Sequence, residues 1–164
     1  MVPSHHGAGV KLKAVVAQDL TKSFGDFQAV KGVTFSVDQG EVFGLIGPNG
    51  AGKTTTMRML STLLQVSSGS ATIFGKDLNK ETDEVRKIIS YLPEEAGAYK
   101  NLTGRRYLEF IARFFCQGDE VHKMVDYGIS LSNLADRIDD KVETYSKGMT
   151  RRLLVSRALM FKPR

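Results

Sequence analysis

The sequence predicts an α/β fold, with strands ahead of a glycine-rich loop and helices after it. Three observations predict it. The apolar run "VFGLIG" passes through a glycine-rich loop straight into "KTTTMRMLSTLL", the strand–turn–helix order of sheets covered by helices. Upstream, "LKAVVAQDLTKSF" and "VTFSV" alternate apolar and polar side chains, the period of half-buried strands. Downstream, residues 103 to about 135 repeat apolar side chains every three or four positions, the period of a helix face.

Taken in order, "LKAVVAQDLTKSF" is a strand and "GDFQAVKG" turns the chain. "VTFSV" is a second strand, with Val33, Phe35 and Val37 on one side and Thr34 and Ser36 on the other. "DQGE" is a turn by composition. "VFGLIG" has the short apolar pattern of a buried central strand. In the helix after the glycine loop, Met57, Leu60, Leu63 and Leu64 share one face. "SSGSATIFGKDL" gives a turn and a strand. "ETDEVRKIISYLP" gives a short helix feeding a strand that Pro93 stops. Residues 103 to about 135 are expected to be helical throughout, with Tyr107, Phe110, Ile111, Phe114 and Phe115 as a core stripe. "SKGMTRRLLVSRALMF" is a last helix with Ser146 as its N-cap.

Length and composition bound the function. At 164 residues the chain is one domain, or one domain and part of another. It is long enough to bury a core without disulfides or metals. The net charge of +5 suits a polyanionic ligand, but it is too small and scattered to indicate nucleic acid. Cys116 is the single cysteine, which excludes an internal disulfide and a cysteine-rich metal site. A reducing compartment is the simplest reading, and within "FIARFFCQ" the thiol reads as buried and apolar. No apolar run of about 18 residues is present to span a membrane. "MVPSHHGAGVKLK" lacks a signal-peptide core, so membrane work would fall to a partner. Residues 1 to 11 read as a flexible tail. There the adjacent His5 and His6 are solvated, because no further ligand lies at metal-site spacing.

The chemistry sits in "GLIGPNGAGKTTTMRML". Gly47, Gly52, Lys53 and Thr54 meet Gly-x-x-x-x-Gly-Lys-Ser/Thr, and Gly50 adds a glycine inside the loop. Glycines let successive backbone N–H groups wrap an anion without obstruction. The helix N-terminus adds its positive end. Lys53 supplies a point charge to the β- and γ-phosphates. Thr54 offers a hydroxyl to a bridging Mg²⁺, and Thr55 reaches a phosphate nearer the sugar. The loop names the phosphates and leaves base and reaction open.

"GPNGAGKTTTMRML" resembles the ATP-binding subunits of ABC transporters, and the resemblance runs from about residue 14 to the end. It implies a P-loop NTPase-type ABC ATPase domain over residues 12–164: an antiparallel β subdomain, a parallel-sheet core and a helical subdomain at about 95–143. In this family the loop residues Pro48, Asn49, Gly50 and Ala51 line the nucleotide together with the glycines, lysine and threonines. An aromatic residue in the first sheet stacks on adenine. Phe24 holds that place, with Val30 as its apolar neighbour; an aromatic face packs well on a purine. Alone, Phe24 would be an ordinary half-buried strand residue.

Two further landmarks follow from the same resemblance. "TYSKGMTRRLLVSRALM" is similar to the family signature, which is usually Leu-Ser-Gly-Gly-Gln before a helix. Ser146 and Gly148 match, while Lys147 and Met149 depart from it. Its implied role is to hold the γ-phosphate of a nucleotide on a facing subunit, using a hydroxyl, an N–H and a helix N-terminus. "ISYLPEE" puts Glu94 where the family places a Gln that reaches Mg²⁺, and a carboxylate can also take that ion. As a plain acidic turn, Glu94 and Glu95 would be solvated. Thr54 and Glu94 are thus the expected metal contacts. Tyr99, Asn101 and Leu102 are candidates for the face on which membrane-spanning subunits dock.

Three expected groups do not occur before Arg164: an aspartate ending an apolar strand, a glutamate beside it, and a later histidine at the γ-phosphate. His122 precedes the signature. The catalytic residues are therefore expected beyond Arg164, and the sequence is read as an ABC domain incomplete at its C-terminus, with an exposed sheet edge prone to aggregation. The implied function is binding of Mg-ATP and, in an intact dimer with a second ATP-binding subunit, coupling of hydrolysis to transport. The implied location is cytoplasmic, on the inner face of the cell membrane through partner subunits, with no nucleic acid. A soluble ABC-type ATPase acting on ribosomes or DNA and a non-hydrolysing nucleotide-binding fragment remain alternatives. A P-loop kinase or GTPase leaves the serine–glycine signature unexplained.

Overall fold

Lys13–Phe24 (β1) and Phe27–Asp38 (β2) pair antiparallel around a tight turn, with Phe24 opposite Phe27. This computed structural model describes residues 12–164, so the tail and its His5–His6 pair lie outside the described residues. Ser68–Ile73 (β3) pairs with the other edge of β1, and Lys76–Asp77 (β4) closes an antiparallel sheet of order β2-β1-β3-β4. The turn expected over "GDFQAVKG" shrinks to residues 25–26, and the rest of that segment extends β2. Its alternation holds: Val33, Phe35 and Val37 are the shielded positions, and Thr34 and Ser36 face solvent.

The chain divides into two compact units, one running to Lys87 and the other Ile88–Arg164. In the first, the sheet buries Ala17, Leu20, Val30, Ala71 and Ile73, while the helix Lys53–Leu60 (α1) buries Thr56, Met59 and Leu60. The face expected from periodicity is rotated: Met57 and Leu63 are exposed. The helix stops at Leu60, and Thr62 takes a positive φ, so Leu63 is not on a helix at all. Thr82–Ile88 (α2) follows, with Asp83 and Glu84 in its first turn and Arg86 and Lys87 in its last, each sign matched to its end of the helix dipole.

The segment "VFGLIG" is not in a strand. Val42 is 99% and Ile46 94% exposed. A strand exists only through a hydrogen-bonding neighbour, and no described segment pairs with residues 42–47. The same holds for "ISYL", residues 89–92, which lie outside any ladder. Among the described residues the sheet is wholly antiparallel.

The second unit packs Gly104–Ala112 (α3), Asp119–Ser132 (α4) and Lys147–Leu159 (α5) around Tyr107, Leu108, Val121, Val125, Ile138, Leu153 and Leu154. The continuous helix expected from residue 103 to 135 is broken between α3 and α4, where Gly118 has φ 58. Asp119 and Glu120 then open α4 with the favourable charge. The break takes Phe114 and Phe115 off the helix, while Phe110 stays on α3. Tyr107 is buried, whereas Phe110, Phe114 and Phe115 are exposed. Cys116 is partly buried, with its thiol donating to the Ala112 carbonyl at 3.4 Å.

Candidate functional site

In the first unit, the loop ahead of α1 is built by turns. The Ala51 N–H donates to the Pro48 carbonyl at 3.2 Å, closing a turn over Asn49 and Gly50. Gly50 and Gly52 both have φ +83, the left-handed region that glycine enters without a Cβ penalty. Gly52 is the N-cap of α1; no side chain caps that end, and its first turn holds no acidic residue. The positive end of the helix therefore faces the loop uncompensated. The Lys53 ammonium folds back and donates to the Gly47 and Pro48 carbonyls, each at 2.7 Å, which keeps the cation over the loop. Two left-handed glycines, an uncapped helix start and a loop-bound lysine fit a chain of phosphates.

Thr54 and Thr55 stand in the first turn of α1, with Thr54 exposed. Among the described residues no group of three His, Cys, Asp or Glu side chains could hold a metal. A Mg²⁺ at Thr54 would take most of its ligands from phosphate and water, the usual habit of that ion.

Phe24 ends β1 and is 49% exposed, with the Lys22 ammonium 5.1 Å from its ring centroid. Val30 is 2% exposed. Its Cγ2 would lie 2.9 Å from a Cβ on Gly52, and the Ala29 carbonyl oxygen 2.5 Å. The structure thus brings Val30 and the loop together. Sequence reasoning missed Lys22 and Ala29. Lys22 carried a readable signal, a cation two positions from an aromatic on the same strand face. Ala29 acts through its backbone and carried none.

The second unit holds the remaining predicted residues. Ser146 caps α5 by accepting from the Met149 N–H at 3.2 Å, and Ser146 and Gly148 are both exposed. The Tyr145 hydroxyl donates to the Arg137 carbonyl at 2.7 Å, and Gly104 sits so close that a Cβ there would lie 2.5 Å from that hydroxyl. Tyr145, read from sequence only as the first residue of the signature segment, thereby ties the start of α5 to the turn Ala135–Asp139 beside the first residue of α3. Burial first, and then the Asp140 carboxylate, push its phenol above the ordinary value. Glu94 and Glu95 form an exposed turn, and Arg151 on α5 donates to the neighbouring Pro93 carbonyl at 3.5 Å. Tyr99 is exposed and meets Phe110 edge-on at 5.5 Å, and Phe110 in turn meets Phe114 at 5.1 Å.

The family model described as "ABC transporter" matches residues 30–164. The linearmycin resistance ATP-binding protein of Bacillus subtilis is 39% identical over 148 residues, covering 90% of this chain and 48% of that protein. The daunorubicin/doxorubicin resistance ATP-binding protein of Streptomyces peucetius is 37% identical over 158 residues, covering 92% and 46%. The bacitracin transport ATP-binding protein of Bacillus licheniformis is 37% identical, covering 88% and 47%. The chain spans about half the length of these curated relatives. Among solved structures, cbiO1 of Clostridium perfringens, part of the ABC transporter complex cbiONQ, superposes with a TM-score of 0.80 at 23% identity, over 92% of this chain and 62% of its own. That likeness speaks to the fold. An ATP-binding subunit of an ABC transporter superposes at 0.72 with 28% identity, over 92% and 63%. The loop at Gly47–Thr55 that sequence and geometry single out lies inside the matched span, and the chain belongs to the ABC transporter family, within its ATP-binding domain.

Proposed function

We propose that this chain is part of a transporter's ATP-binding subunit that holds Mg-ATP at the loop before α1 and, in the whole protein, couples ATP hydrolysis to transport. The observation that carries the proposal is the Lys53 ammonium held at 2.7 Å from two loop carbonyls, directly after a left-handed Gly52. When ATP is bound, its phosphates supply the negative charge that this positive pocket lacks, with Thr54 at Mg²⁺ and Thr55 at the inner phosphate. The exposed face of Phe24 would take adenine by stacking, with Lys22 orienting the ring.

Ser146 and Gly148 would serve the nucleotide of a facing ATP-binding subunit. Support comes from Ser146 opening α5, whose N-terminus is a natural anion site. The exposed ladder of Tyr99, Phe110 and Phe114 supports a docking face for membrane-spanning subunits beside Asn101 and Leu102. No described helix is long and apolar enough to cross a membrane, so that attachment would place the protein on the inner face of the membrane through its partners. The resistance and transport functions named for three relatives support an antibiotic-like cargo.

The test is calorimetric titration of the intact protein with Mg-ATP. Lys53→Ala removes the cation and is expected to weaken binding by more than about tenfold, a loss of about 1.4 kcal/mol or more. Binding by Lys53→Ala at wild-type affinity would show that the nucleotide sits elsewhere.

A further inference from the structure

The strand that follows the aromatic ring also touches the phosphate loop. Val30 Cγ2 and the Ala29 carbonyl oxygen come within 2.9 and 2.5 Å of the place where a Cβ on Gly52 would stand. β2 therefore lies directly against the last glycine before Lys53. Val30 is 2% exposed, so its surface is already spent on packing and offers nothing to a base. In the β1–β2 ladder Val30 pairs with Lys22, the same lysine whose ammonium sits over Phe24. One rung of the ladder joins the ring to the loop. A β-branched side chain is stiff at χ1, and a close-packed contact passes displacement on rather than absorbing it.

We propose that Val30 is a positioning residue for the phosphate site. It fixes the Gly52 peptide, and with it Lys53 and the start of α1, at a set distance from the β1–β2 platform that carries Phe24. It acts on the phosphates through Gly52 and does not touch the base. The inference rests on the loop being the phosphate site. It separates Phe24 from Val30 in kind: the ring contacts the nucleotide, and the valine sets the spacing between ring and loop.

Three probes test it on the intact protein: Mg-ATP, Mg-GTP and Mg-tripolyphosphate, the last having no base. Val30→Ala opens a gap at Gly52. It should bind tripolyphosphate about tenfold more weakly, with an unchanged ratio of ATP to GTP affinity. Val30→Thr keeps the branched shape and should bind tripolyphosphate within about twofold of wild type. Wild-type tripolyphosphate affinity in Val30→Ala, with or without weakened ATP binding, would overturn the inference, because a base contact changes ATP alone. If a thermal melt shows Val30→Ala to be unfolded, Val30→Ile replaces it; the larger branched side chain presses on Gly52, and the same two readings of tripolyphosphate decide. Failure of the underlying site looks different: wild type would then bind no tripolyphosphate, and both readings fall together.

Discussion

Alanine at Gly52 and at Gly50 separates close packing from backbone strain within one loop. Both residues have φ +83, so each alanine meets the same left-handed penalty of about 1–2 kcal/mol. Their surroundings differ. A Cβ on Gly52 falls 2.5 Å from the Ala29 carbonyl oxygen and 2.9 Å from Val30 Cγ2, whereas one on Gly50 has nothing within 4 Å. Carbon contacts relax near about 3.5–4.0 Å, so the loop and β2 must part by roughly 1 Å. The nearer obstacle is a backbone oxygen in a paired strand, which cannot swing aside. Overpacking of this kind costs about 1–3 kcal/mol. Gly52→Ala should therefore lose about 2–5 kcal/mol and Gly50→Ala about 1–2 kcal/mol. Urea unfolding of the ligand-free proteins, followed by far-ultraviolet circular dichroism, reads both at once, provided that the two share one m value. Equal losses, or a larger loss in Gly50→Ala, would refute the claim that packing of β2 is what demands glycine at 52.

Other substitutions probe the second unit. Ser146→Ala removes the cap on the Met149 N–H and should cost about 1 kcal/mol in unfolding free energy, with Ser146→Asp restoring most of it. Gly104→Ala places a methyl group 2.5 Å from the Tyr145 hydroxyl and 2.9 Å from Ile138 Cδ1. It should destabilise by about 1–3 kcal/mol, and adding Tyr145→Phe, which clears the nearest atom, should recover part of that loss in a double-mutant cycle. Arg105, donating to Asp139 at 2.7 Å, holds that carboxyl below its ordinary value of 3.8. A carboxyl more acidic in the folded chain than in the unfolded one stabilises fully above the unfolded value, and the contribution fades as pH falls through the folded one. The melting-temperature gap between wild type and Asp139→Asn should thus be present at neutral pH and close below pH 3.8. Asp77, Glu84 and Glu109 are shifted in the same direction, so the wild type should lose stability in the same acid range.

Much of this was readable because its causes are local. A glycine loop between an apolar run and a helix is specified by residues adjacent in sequence. The structure gives Gly50 and Gly52 the conformations that such a loop needs. Ser146 capping α5 is decided by four consecutive residues. The alternation of Val33, Phe35 and Val37 survives because a pleat reverses side chains whatever the strand pairs with.

What could not be read depends on partners distant in sequence. "VFGLIG" has the composition of a buried strand, yet Val42 and Ile46 face solvent, because burial and pairing belong to two segments and only one was visible in the pattern. The aromatic stripe failed for a related reason. Periodicity predicts that Phe110 and Phe114 share a face with Tyr107, but not which part of that face is covered. The core closes over Tyr107 and leaves Phe110 edge-on to Tyr99, and Phe114 edge-on to Phe110, at its rim. Val30 is the sharpest case. From sequence it was an apolar neighbour for adenine, a role defined by its distance from Phe24 along the strand. Its contact with Gly52 joins residues 22 positions apart, and only folding β2 against the loop reveals it. The pattern of the strand alone cannot choose between a valine facing a base and one packed on the loop; the burial of Val30 and its closeness to Gly52 favour the second.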